Sequence, residues 1–111
     1  MICPTDQRHL QVLRILETQP DLSQRQLAKT LGVSVGKINY CIHALVERGL
    51  LKVKNFRNSQ DKLAYTYLLT PAGIAIKAEL TARFLKQRLI EYELLKQEID
   101  ELRQETQTRP S

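Results

Sequence analysis

Tryptophan is absent from this 111-residue chain, and its aromatic share is only 5%. Such a composition argues against a single large core, and one domain with an appendage is expected. Long apolar runs are missing as well: none approaches the roughly 20 residues that span a bilayer. The opening "MICPTDQRHL" lacks the basic, apolar and small-residue zones of a secretory signal, so a cytoplasmic protein without membrane contact is expected. Cysteine is scarce, and Cys3 and Cys41 form neither a C-x-x-C pair nor a disulfide framework. Cys41 and His43, two apart on an expected helix, point about 200° from each other, so no metal site and no cofactor are expected. Paired carboxylates, a nucleophile beside a base and a glycine-rich phosphate loop are also missing, which argues against an enzyme.

What is present is an uneven charge. Residues 1–70 hold 10 Lys/Arg against 5 Asp/Glu, whereas residues 71–111 hold 7 of each, so the whole net charge of +5 lies in the first part. A locally basic domain attracts polyanions, nucleic acid foremost.

The apolar spacing divides the chain further. A first helix starts near Thr5 or Asp6, either of which can cap it, and its residues Leu10, Val12, Leu13, Ile15 and Leu16 cover more than half its circumference. After Pro20, Ser23 and Gln26 form a capping box for a short second helix with Leu27, Ala28 and Leu31 inward. Gly32 turns the chain, Ser34 caps a third helix and Gly49 closes it. The segments around Leu51–Asn55 and Tyr65–Leu69 alternate as strands on either side of the polar "RNSQDK" turn, which reads as a β-hairpin with Arg57 and Lys62 near its tip. Thr70-Pro71 starts a helix that nothing breaks until about Glu105. On it Leu85, Leu89, Tyr92, Leu95, Ile99 and Leu102 follow steps of three and four, close to a coiled-coil repeat with one irregular step.

The expected fold is therefore mainly α with a small β-hairpin: a winged helix-turn-helix domain over residues 5–70, one long C-terminal dimerisation helix over 71–107, and a tail over 108–111. In a helix-turn-helix the second of the paired helices lies in the major groove. On the third helix, Val35, Ile38, Leu45, Val46 and Gly49 fall within about 60° of Ile42, while Gly36, Lys37, Tyr40, His43 and Glu47 point away and Asn39 lies at the flank. Lys37, Asn39, Tyr40 and His43 are the candidate base-reading residues, and Gly36 allows close backbone approach. Ser34, Arg25, Lys54, Arg57 and Lys62 are candidates for phosphate or minor-groove contact. The same polar face could instead be ordinary solvated surface, Lys52 and Lys54 could protect a strand edge, and Cys41 reads as a packed thiol.

The stretches "SQRQLAKTLGVSVGKINYCIHALVERGLLKV" and "YLLTPAGIAIKAEL" resemble the winged-helix core of MarR-family transcriptional regulators over about residues 8–80. The wording "GKINYCIHALVERG" is similar to the small members associated with exopolysaccharide (EPS) gene clusters. The resemblance implies a DNA-binding transcriptional regulator, a repressor by default, acting as a homodimer on a roughly palindromic operator in double-stranded DNA. Larger members build their dimer with an additional N-terminal helix and a second C-terminal helix. Here dimerisation must rest chiefly on residues 72–105, and the crevice in which family members bind phenolic effectors is not carried over. A protein-interaction scaffold and an RNA-binding winged helix are the rival expectations. Parallel or antiparallel pairing of the long helices, any effector, the operator and any redox role of the cysteines stay open.

Overall fold

A computed structural model describes residues 4–57 and 63–108, and its elements follow the expected order. They are α1 (Pro4–Thr18), α2 (Gln24–Leu31), α3 (Val35–Glu47), β1 (Leu51–Arg57), β2 (Leu63–Leu69) and α4 (Pro71–Thr108). Cys3, Lys62 and residues 109–111 of the expected tail lie outside the described residues.

Local chemistry accounts for the boundaries. The Ser23 hydroxyl accepts from the Gln26 backbone N–H at 3.1 Å while the Ser23 N–H donates to the Gln26 side chain at 2.9 Å, so the capping box is complete. Gly32 takes φ +68°, a left-handed conformation that closes α2 without a Cβ penalty. The Ser34 hydroxyl accepts from the Lys37 N–H at 3.1 Å and opens α3. Gly49, at φ +72°, turns the chain from α3 into β1. The strands pair antiparallel from Leu51 opposite Leu69 to Arg57 opposite Leu63.

Val12, Leu13, Leu16, Leu27, Ile38, Ile42, Leu45, Leu51 and Tyr67 form one core joining α1, α2, α3 and the hairpin. The start of α4 closes over it through Ile76, with Lys77 paired to Glu17 of α1 at 3.0 Å. Leu80 is buried, but every residue from Arg88 to Gln107 is exposed. The molecule is thus a small head with a rod, 73 Å in its longest dimension.

Several expectations need correction. Helix α1 begins at Pro4, which puts Thr5 and Asp6 in its first turn and not at its cap. Helix α4 continues to Thr108, beyond the expected stop near Glu105. Val35, expected on the buried stripe, is 46% exposed at the first position of α3. Gly49 lies in the turn past α3, so its place on the helical wheel has no meaning. Arg57 belongs to the end of β1 and not to the turn, and its side chain lies outside the described residues.

Candidate nucleic-acid interface

The third helix is held by its apolar side. Ile38 and Leu45 have no exposed surface, and Cys41 and Ile42 are each 3% exposed. That packing fixes the rotation of α3 and leaves Gly36, Lys37, Asn39, Tyr40 and His43 in solvent. Tyr40, at 77%, is the most exposed large hydrophobic side chain among the described residues.

The exposed residues do not form one uniform face. Ser34, Gly36, Lys37 and Tyr40 line a cleft of about 520 Å³ between α3 and the start of α1, with Arg8 on its far wall. His43 instead lines a larger groove of about 770 Å³ against the hairpin, with Gln24, Val53, Tyr65 and Tyr67. Asn39 is engaged: its amide donates to the Gln24 side-chain oxygen at 3.1 Å, and the Gln24 amide donates to the Tyr67 hydroxyl at 3.1 Å. This relay links α3, α2 and β2.

Arg25 on α2 and Lys54 on β1 are exposed and make no ion pair among the described residues. The first cleft thus combines Lys37 with Arg8 and the amino-terminal end of α3, all favouring an anion. Arg8 escaped sequence reasoning because its helix enters this cleft only through tertiary packing. No group of three or more His, Cys, Asp or Glu residues able to hold a metal occurs among the described residues. Among them, too, no helix is long and apolar enough to cross a membrane.

The thiol of Cys41 lines the same cleft, but burial pushes its pKa up to about 11, so it stays protonated near neutrality. This chemistry makes it packing for α3 and a poor nucleophile.

Residues 5–52 match a family of winged helix-turn-helix DNA-binding domains. No curated protein sequence matches the chain significantly. Among solved structures, the adhesin competence repressor of Streptococcus pyogenes superposes with a TM-score of 0.61 at 23% identity, over 86% of this chain and 67% of that one. A variant of the Staphylococcus aureus protein MepR bound to an oligodeoxyribonucleotide gives 0.59 at 21%, over 95% and 80%. A Mycobacterium tuberculosis MarR-family protein in complex with p-aminosalicylic acid gives 0.55 at 22%, over 85% and 75%. The head of this chain has the winged helix-turn-helix fold of a DNA-binding domain, in the arrangement also seen in MarR-family regulators.

Proposed function

We propose that the protein is a transcriptional regulator that binds double-stranded DNA as a homodimer, with α3 in the major groove and the hairpin alongside the backbone. The observation that carries this reading is the exposed set Lys37, Tyr40 and His43 on a helix whose opposite side is locked into the core. Lys37 suits a phosphate or a guanine edge, and Tyr40 and His43 suit bases or phosphates. Ser34, Gly36, Arg25, Lys54, Arg57 and Lys62 complete the proposed contact set, and Asn39 acts first by holding the helices in register. In the dimer, α4 pairs through Leu85, Leu89, Tyr92, Leu95, Ile99 and Leu102, which are 41–59% exposed in the single chain. Two heads then read two half-sites of a pseudo-palindromic operator, repressing by occlusion of the polymerase. Exopolysaccharide genes are the first operators to test, since the α3 wording resembles regulators of such clusters.

Gel shifts with genomic fragments at two salt concentrations test the reading. Binding that weakens steeply with salt is expected, and Lys37→Ala with Tyr40→Ala should lower affinity by about 10–100-fold. Absence of salt-sensitive binding to any duplex rejects it. Unchanged binding by the double variant removes α3 as the reader, and preference for RNA in competition favours an RNA-binding winged helix.

A further inference from the structure

The exposed part of α4 carries enough pattern to assign the direction in which two copies pair. Tyr92, Leu95, Ile99 and Leu102 stand at steps of three, four and three, the spacing of successive a, d, a and d positions in a heptad. Ile99 at an a position, with Leu95 and Leu102 at d positions, is the combination that favours two strands. The seam is flanked by charges sorted by side. Glu91 and Glu98 immediately precede the two a residues, and Lys96 and Arg103 immediately follow the two d residues.

We propose that the partner of α4 is a second copy of this chain, paired parallel and in register. In that arrangement the residue before an a position faces, on the other copy, the residue five places further along. Glu91 of one copy then meets Lys96 of the other, Glu98 meets Arg103, and both pairs repeat by symmetry. In the antiparallel arrangement like positions face like, which sets glutamate against glutamate and lysine or arginine against lysine or arginine. Charge complementarity therefore selects one direction and opposes the other.

The single chain leaves these groups available. Lys96, Glu98 and Arg103 make no ion pair among the described residues, and only Glu91 has a partner on its own helix, Arg88 at 2.7 Å. Arg88 occupies the d position before Tyr92 and folds back over the Phe84 ring, 4.7 Å from its centroid. The regular seam accordingly begins at Tyr92, with Leu85 and Leu89 forming an irregular lead-in. Parallel pairing puts both heads at one end of the rod, related by a two-fold axis along it.

The inference rests on the dimeric part of the proposed function and not on DNA binding. Tyr92→Cys and Leu102→Cys, each placed separately in a full-length Cys3→Ser chain, are oxidised mildly and run on non-reducing gels beside sedimentation of the native chain. The two sites are about 15 Å apart along the helix, so an antiparallel pair lets at most one of them meet itself. Both variants should self-link. In parallel, Glu98→Arg should weaken the dimer about tenfold, and adding Arg103→Glu should restore it. A dimer in which only one thiol self-links, or in which the second reversal gives no rescue, overturns the parallel register and leaves the dimer standing. A native chain that sediments as a monomer overturns both.

Discussion

His9 is the one polar side chain buried among the described residues, at 5% exposure. It lies beside Asp6, Arg48, Glu79 and Arg83 where α1, the end of α3 and α4 meet. Burial, and after it the charge of Arg48, lowers its pKa from 6.5, with Asp6 opposing weakly. The folded protein thus disfavours the protonated form of His9, while the unfolded chain takes up a proton as pH falls through 6.5. Stability should be level above that value and decline below it, by at most about 1.4 kcal/mol per pH unit for one proton. Urea unfolding from pH 5 to 7 measures the slope, and His9→Gln should flatten it. The sequence offered no sign of this: His9 sits among apolar neighbours on a helical wheel, but its charged surroundings come from Arg48 and Glu79 on other elements. Cys41 was legible because its own helix already placed it beside the buried stripe.

At the scale of elements, the joint between head and rod depends on the first turn of α4. The Thr70 hydroxyl donates to the Gly49 carbonyl at 2.5 Å and accepts from the Gly73 N–H at 3.0 Å, while the Thr70 N–H donates to the Leu50 carbonyl at 3.1 Å. A Cβ on Gly73 would collide with that same Leu50 carbonyl oxygen. Gly73→Ala should therefore cost about 2–4 kcal/mol, because a backbone atom fixed by the α3–β1 junction has to move. Gly32→Ala is the control: its surroundings are open, so only the left-handed conformation is strained, at about 1 kcal/mol. Denaturant midpoints of the two variants should differ in that order. The start of α4 was readable from Thr70-Pro71, whose capping chemistry is local. The demand for glycine at position 73 was not, since it arises from a carbonyl on a distant segment. Val35 shows the same limit from the other direction: a helical wheel gives an angle but not whether another element packs against it.

For the whole molecule, the division of charge mirrors the division of structure. The basic head carries the proposed DNA contacts, and the neutral rod carries an apolar seam with sorted flanking charges. On the proposed reading each head offers one recognition helix, so operator affinity should depend on holding two heads together. Tethering makes the second contact intramolecular, with an effective concentration in the millimolar range for a short, suitable link. Leu95→Glu with Ile99→Glu in the full chain isolates this contribution. Both positions are exposed in the single chain, so the head and the helix should survive, as far-ultraviolet circular dichroism and the unfolding midpoint at low concentration will report. Four glutamates per dimer in the seam should split it to monomers in sedimentation. Affinity for a two-half-site operator should then fall by about 10²-fold or more, while affinity for an isolated half-site changes little. Equal losses on both DNAs would instead mean that the substitutions act on the head itself.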